Sequence, residues 1–166
     1  MVDLLVTYME MTEPPPAAPK SSPDSSLRVE RERLGRTDYM TLYRAVGEPL
    51  QWDERLRVEP ETLDRLLTVP STHIHVLRLN GEAIGFCEFA RVGEPEVELV
   101  HFGLVPAVQG KGFGPYLLDH ALRRCWQHSP NRIWLHTDTN DHPSAVPVYA
   151  KAGFRPFLQR IETFPG

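Results

Sequence analysis

The sequence has few of the residues on which several classes of protein depend. It contains two cysteines, Cys87 and Cys125, which are too few for a disulfide framework or a cysteine-rich zinc site. Lys and Arg number 18 against 22 Asp and Glu, so the chain lacks the basic excess with which proteins bind nucleic-acid phosphates. Its apolar runs are short for a membrane span, and its first residues lack the basic start of a secretory signal. We therefore expect a cytoplasmic protein without nucleic-acid or membrane partners.

The residues that are present suit a single folded domain. The chain has 166 residues, of which 41% are hydrophobic and 24% are charged, so it can bury a core of its own. We expect residues 1–166 to form one domain. Proline is abundant, with 16 residues, and five of them lie between residues 12 and 26. This Pro- and Ser-rich segment predicts an exposed, extended loop after a first strand over residues 4–11, although disorder of everything before Leu27 is the alternative.

Helix and strand patterns follow one another along the rest of the chain. The helices are predicted over residues 37–47, 55–68, 115–127 and 143–152, and the strands over residues 73–79, 83–92, 96–105, 133–137 and 154–163. Hairpins followed by a crossover predict the α/β (α+β) class, with a single mixed, mostly antiparallel sheet flanked by helices. The alternation of His73 and His75 with apolar residues predicts an exposed strand face and no metal site.

A glycine-rich loop is the most informative stretch. Residues 104–114, LVPAVQGKGFG, place Gly110, Gly112 and Gly114 between a predicted strand and a predicted helix. Glycine allows positive φ and close approach of a ligand, and amides at a helix N-terminus favour a phosphate. The loop could instead only turn the chain. Pro115 excludes a Walker loop, which needs Ser or Thr after Lys, and a dinucleotide-binding loop would normally open a repeated set of crossover units.

This stretch resembles the acyl-coenzyme A binding loop of the GNAT superfamily of N-acetyltransferases. That loop has Gln or Arg, two residues, Gly, one residue, and then Gly or Ala, and Gln109, Gly112 and Gly114 match it. A second family motif is matched by residues 145–154, AVPVYAKAGF. The resemblance implies a GNAT-like domain in which the glycine-loop strand and the next strand splay apart around coenzyme A. It also implies acetyl-CoA as co-substrate and transfer of the acetyl group to a primary amine of a small molecule or peptide, by direct attack in a ternary complex.

The resemblance further implies which residues contact the coenzyme. Backbone groups of three strand residues would pair with the pantetheine arm and the thioester carbonyl: Phe102, Gly103 and Leu104. The loop residues would hold the pyrophosphate: Gln109, Gly110, Lys111, Gly112, Phe113 and Gly114. Pro115 departs from the family, which often has a hydrogen-bond donor there. His142 stands where many relatives have an asparagine that contacts the coenzyme, and its alternative role is in a helix cap.

Two residues are candidates for proton transfer. Tyr149 occupies the position where the family often carries its general acid, and its alternative role is packing. The acceptor amine must lose a proton, and Glu98 is the candidate base, because its spacing of six from Leu104 predicts that both side chains share one sheet face. Glu98 could equally be the polar half of an alternating strand. His101 would face the other way and is not a candidate, and Trp52 could line the acceptor pocket or only pack.

Two other functions stay open at this point. The chain could bind acyl-coenzyme A as a sensing module without turnover, or it could be a nucleotide-dependent oxidoreductase. A titration with NAD set against acetyl-CoA would separate the second reading from acetyl transfer. Homodimerisation is left open, and no metal is expected.

Overall fold

A computed structural model describes residues 1–165 and contains one seven-stranded sheet flanked by four α-helices. The strands are β1 Val2–Met11, β2 Leu27–Arg31, β3 His73–Leu79, β4 Glu82–Ala90, β5 Glu96–Leu104, β6 Arg132–Asp138 and β7 Arg155–Phe164. The helices are α1 Arg36–Gly47, α2 Pro60–Thr68, α3 Phe113–Trp126 and α4 Ala145–Ala152. The strand order is β2-β3-β4-β5-β6-β1-β7, and every neighbouring pair is antiparallel except β5 and β6. The predicted fold class is confirmed, including the parallel crossover through α3.

Helices cover both faces of the sheet. On one face, the apolar side of α3 is buried against the sheet through Leu117, Leu118 and Leu122. On the other face, α1 and α2 bury a second cluster of apolar side chains that includes Tyr43 and Val46. We refer to these as the α3 face and the α1 face. None of the helices described in residues 1–165 is both long and apolar enough to cross a membrane.

A β-bulge in β5 changes which side chains face which helices. Glu88 of β4 pairs with His101, but the next residue, Phe89, pairs with Leu99, so Val100 is the extra residue. Leu99 and Leu104 therefore both lie on the α3 face although they are five residues apart. The prediction that Glu98 shares a face with Leu104 is wrong, because it assumed unbroken alternation along the strand.

The same bulge corrects the interpretation of His101. The ring of His101 lies against the rings of Tyr43 and Trp52, so this residue is on the α1 face. Gly103 has the same orientation, since a Cβ added there would lie 2.5 Å from Cγ1 of Val46. Glu98 and His101 therefore both lie on the α1 face, although unbroken alternation predicts that they face opposite sides of the sheet.

Strands β5 and β6 separate as the resemblance implies. Their ladder joins Glu96 with Arg132, Val97 with Ile133 and Glu98 with Trp134, and no later pairs join them within the described residues. The carboxyl halves of both strands are therefore free to line a cleft in the sheet.

Three other local predictions need correction. The edge strand β2 was not predicted, and the expected helix over residues 55–68 is a 3₁₀ turn at Glu54–Arg57 followed by α2, because Pro60 starts a new helix in its first turn. His73 and His75 are buried and not exposed, since the C-terminal half of α3 covers that end of the α3 face. The loop over residues 12–26 was predicted correctly, and it contacts α3 where the backbone N–H of Lys20 donates to Asp119.

Candidate active site

A cavity of about 1040 Å³ opens where β5 and β6 diverge. Its walls come from the end of β5, the glycine loop, α4 and the turn that precedes α4. The connection between α1 and α2 closes one side with Trp52 and Glu54, and β6, β1 and β7 close the opposite side with His136, Tyr8 and Glu162.

The glycine loop presents backbone N–H groups at the start of α3. Gly110 and Gly112 both have φ of +79°, a conformation in which glycine is strongly favoured, and Gly112 is the residue that begins the helix. Within the described part of the chain, no protein acceptor takes the amides of Gly110, Lys111 or Gly112. The side-chain amide of Gln109 donates to the carbonyl oxygen of Leu104 over 3.2 Å and so ties the loop to β5. Free amides at a helix N-terminus form a binding site for an anion.

Most of the residues proposed to bind the coenzyme line this cavity. They are Phe102, Gly103, Leu104, Gln109, Gly110, Gly112, Gly114, Pro115 and His142. Lys111 is exposed outside the cavity wall, and the ring of Phe113 is buried in the core, so Phe113 can contribute only backbone. His142 also caps its turn, because its Nδ1 accepts a hydrogen bond from the amide of Ser144 over 3.0 Å.

Tyr149 lies on α4 and contributes to the cavity wall. Its ring packs against Phe102 and Phe154 with centroid distances of 5.8 and 5.9 Å. Burial, assisted by the negative charge of Asp141, raises the pKa of the Tyr149 hydroxyl well above its usual value. The hydroxyl therefore stays protonated at neutral pH and can donate a hydrogen bond or a proton into the cavity.

A buried carboxylate, that of Glu88, contacts the ring of His101. Glu88, which is 1% exposed, accepts hydrogen bonds from the hydroxyl of Tyr39 and from Nη2 of Arg55, the latter over 2.6 Å, and lies 3.1 Å from Nδ1 of His101. Burial acts to raise the pKa of Glu88, but His101, Arg55 and Tyr39 together lower it to about 2. An ionised carboxylate only accepts hydrogen bonds, so Nδ1 of His101 is the donor and a neutral ring has its lone pair on Nε2.

His101 is a functional candidate that sequence reasoning missed. It lines the cavity, with its Nε2 atom 3.8 Å from the carboxylate of Glu54 and its ring 5.0 Å from that of Trp52. The bulge at Val100 gave no signal in the residue pattern. A glutamate at position 88 within an otherwise apolar strand was the one hint that a buried polar partner exists.

Glu98 lies behind the cavity wall. Its carboxylate is 3.8 Å from Nε2 of His136, which does line the cavity. Burial raises the pKa of Glu98, and the neighbouring His136 partly opposes that rise. The structure therefore brings Tyr149 and His101 to one cavity and leaves Glu98 outside its lining, beside His136.

Trp52 spans the cavity from the α1 side to the turn before α4. Its indole N–H donates to Asp141 over 3.3 Å, and Asp141 also accepts hydrogen bonds from Thr137 and from the amide of Asp138. Trp52 thus lines the pocket in addition to packing. The charged side chains of the wall are mostly acidic: Asp53, Glu54, Asp138, Asp141 and Glu162, with Arg57 as the counterpart. This balance favours a cationic ligand.

Comparison with known proteins identifies the family. The Acetyltransferase (GNAT) family model matches residues 37–154, which include α1 except its first residue, the bulged strand, the glycine loop and α4. No curated protein gives a significant match to the sequence.

Solved structures resemble the chain in fold at low identity. A GCN5-related N-acetyltransferase from Sphaerobacter thermophilus has a TM-score of 0.66 and 18% identity, covering 95% of this chain and 50% of its own. The aminoglycoside acetyltransferase meta-AAC0020 from an uncultured soil metagenomic sample has a TM-score of 0.66 and 16% identity, covering 79% of this chain and 90% of its own. A tandem GNAT protein from the clavulanic acid biosynthesis pathway has a TM-score of 0.67 and 14% identity, covering 95% and 52%. The chain thus spans about half the length of the first and third of these proteins.

Proposed function

Because this chain belongs to the GNAT family of acetyltransferases, we propose that it transfers the acetyl group of acetyl-CoA to a primary amine in a ternary complex. The observation that carries the proposal is the glycine loop, whose free amides open into the cavity between β5 and β6. Tyr149 and His101 stand on the walls of the same cavity, so one proton donor and one proton acceptor flank the site.

The residues present suit the coenzyme. The amides of residues 110–114 would hold its pyrophosphate, and the backbone of residues 102–104 would pair with the pantetheine arm where β6 has moved away. Pro115 supplies no N–H, so the cradle relies on the amides before it. Acetyl-CoA supplies an activated thioester, and the protein positions that thioester and manages the protons.

The proposed reaction balances without a covalent intermediate on the protein. The neutral amine attacks the thioester carbonyl, so a C–N bond forms while the C–S bond breaks. Nε2 of His101 takes the proton that the amine loses, and the hydroxyl of Tyr149 donates a proton to the departing thiolate. The ionised Glu88 stabilises the imidazolium that forms on His101, since the two groups then carry opposite charges 3.1 Å apart.

Glu98 is the alternative proton acceptor, and it would act through His136 or a water molecule. The His101→Gln variant removes the imidazole but leaves the cavity wall in place, and Glu98→Gln removes the carboxylate with little change of shape. We expect the first variant to lower kcat by about 10²-fold, in line with the usual contribution of a general base, and the second to lower it by less than threefold. The opposite ranking would assign the base to Glu98.

The acidic and aromatic walls favour a cationic acceptor on a small molecule or peptide. Trp52 and Glu54 lie on the same side of the cavity as His101, and they can contact a second positive group of the acceptor. One structural neighbour is named for aminoglycosides, which carry several amines. We therefore propose that diamines and polyamines rank above neutral monoamines.

An assay of thiol release from acetyl-CoA over a panel of amines tests the proposal. We expect release that depends on the acceptor, with the product heavier by one acetyl group in mass spectrometry. Tight coenzyme binding with no release from any amine would instead support the sensing module. Binding of NAD in preference to acetyl-CoA would overturn both.

A further inference from the structure

A second cavity, of about 380 Å³, lies under the C-terminal half of α3, between that helix and strands β2 and β3. It shares no lining residue with the candidate active site. Four imidazole rings line it, from His73 and His75 on β3, His120 on α3 and His128 just after α3. We call this cavity the histidine cavity.

The floor of the histidine cavity has hydrogen-bonding atoms without partners. His75 is 3% exposed, and neither of its ring nitrogens has a hydrogen-bond partner within the described residues. Nδ1 of His120 also has no hydrogen-bond partner there. Buried polar atoms in proteins nearly always have partners, because leaving one unpaired costs the full penalty of removing it from water. These atoms therefore indicate that something polar enters the cavity.

The rim of the histidine cavity is positively charged. Arg31 of β2 and Arg124 of α3 line it, and neither forms an ion pair within residues 1–165. Glu30 is the acidic residue on the rim, and Asp119, which precedes His120 on α3, is already bonded to Arg123.

The charge and spacing of these groups favour an anion over a metal ion. Within the described part of the chain, no set of three or more His, Cys, Asp or Glu side chains is placed to hold a metal. The ring centroids of His73 and His75 are 6.5 Å apart, and two unpaired guanidinium groups nearby would repel a cation. Arginine forks match phosphate oxygens in geometry, and a ring N–H can donate to the same group.

We propose that the histidine cavity binds the phosphoryl group of a small phosphate monoester, with Arg31 and Arg124 pairing its charge and His75 and His120 donating from the floor. The volume equals roughly a dozen water molecules at about 30 Å³ each, which is more than a single phosphate needs. The cavity therefore has room for an organic group beside the phosphate. This site is independent of the proposed acetyl transfer.

Histidine ring signals in NMR spectra test the proposal directly. The full-length protein would be kept in phosphate-free buffer at pH 7, with dephospho-coenzyme A at saturation. This compound has the pyrophosphate that would occupy the glycine loop but no phosphate monoester that could compete for the histidine cavity. We expect a sugar phosphate to shift the ring C–H signals of His75 and His120, and inorganic phosphate to do so more weakly. A stronger response to inorganic phosphate would identify the free ion as the ligand and overturn the monoester. No shift with either compound would overturn the site.

Substitutions at the exposed rim avoid the risk of unfolding the protein. Arg124→Ala should weaken binding of the sugar phosphate about tenfold, as expected for the loss of one charged hydrogen bond. Arg28→Ala is the matched control, because Arg28 lies on the same strand as Arg31 but bonds to the carbonyls of Ser25 and Leu27. The control should change affinity by less than twofold. Equal weakening by both variants would show only a general charge effect and would contradict the proposal.

Discussion

Lowering the pH from 7.5 to 5.0 should destabilise this protein through two histidines of the histidine cavity. Burial, followed by the charges of His73 and His120, lowers the pKa of His75 to about 3 from 6.5 in an unfolded chain. Burial, followed by the charge of Arg31, lowers the pKa of His73 to about 4. The unfolded chain therefore binds more protons than the folded protein between these values. The contribution of these two histidines to the free energy of unfolding is fully present above pH 6.5. It is lost as the pH falls, because acid favours the unfolded state, which takes up more protons.

The loss can be estimated from the pKa of each ring. At pH 5.0 a free histidine is mostly protonated while His75 stays neutral, which costs about 2 kcal/mol relative to pH 7.5. We assign about half of this free energy to His73, because its neighbours Arg31 and His128 are exposed and solvent screens their charge. The sum of about 3 kcal/mol is a large part of the 5–15 kcal/mol by which a domain of this kind is usually stable.

Urea unfolding curves at several pH values, in phosphate-free buffer, measure this effect. The midpoint should fall steadily between pH 6.5 and pH 5.0, before the buried carboxylate contributes. Glu88, whose pKa is lowered to about 2, stabilises the fold above pH 4.5 and loses that effect only as the pH falls below it. His75→Gln should flatten the slope between pH 6.5 and 5.0, with His136→Gln as the control for loss of an exposed imidazole. A free energy of unfolding that changes by less than 1 kcal/mol over this range would refute the reasoning.

Three further predictions concern the candidate active site. Gly112→Val should abolish measurable coenzyme binding, because a β-branched residue cannot hold φ of +79° there. Gly93→Val, at φ of +101° in a distant turn, is the control for backbone strain. Equal coenzyme affinity in the two variants would contradict the role of the glycine loop in binding the pyrophosphate. Tyr149→Phe should lower kcat by about 10²-fold with little change in KM for acetyl-CoA, which steady-state kinetics would show; an unchanged kcat would remove Tyr149 as the acid. Glu88→Gln should cost about 3–5 kcal/mol in urea unfolding, because it leaves the buried charge of Arg55 with only the exposed Glu54, 3.5 Å away, as a carboxylate partner. A cost under 1 kcal/mol would mean that the buried ion pair does not hold this region.

The element order of this fold could be predicted from the sequence because its signals are local. The Asn80-Gly81 turn takes positive φ at both residues, as the pattern of two strands around Asn-Gly requires. The apolar stripe of α3 is spaced so that one side of the helix is buried. The short edge strand β2 was missed because its pairing with β3 is set by a partner more than 40 residues away in the chain.

The buried histidines show where local reasoning fails. Alternation correctly placed His73 and His75 on the face of β3 opposite Ile74 and Val76. It could not show that α3 covers that face, because burial depends on how a distant helix crosses the sheet. A polar residue on one side of a strand therefore predicts exposure only where no second layer is expected there.

The bulge in β5 links the fold to the chemistry more closely than any single residue does. With unbroken alternation, His101 would face α3, far from Trp52 and Glu54 on the side proposed for the acceptor. Leu104 would face α1, and the start of α3 would lose its packing against it. One extra residue, Val100, lets the same strand direct His101 toward Glu88 and Trp52 and still pack Leu104 beside Gly114. The bulge lies just beyond the last pair of β5 with β6, where the strands begin to separate. Orientation of the proposed base therefore follows from one irregularity in hydrogen bonding beside the point where the cleft opens, and residue patterns of period two cannot reveal it.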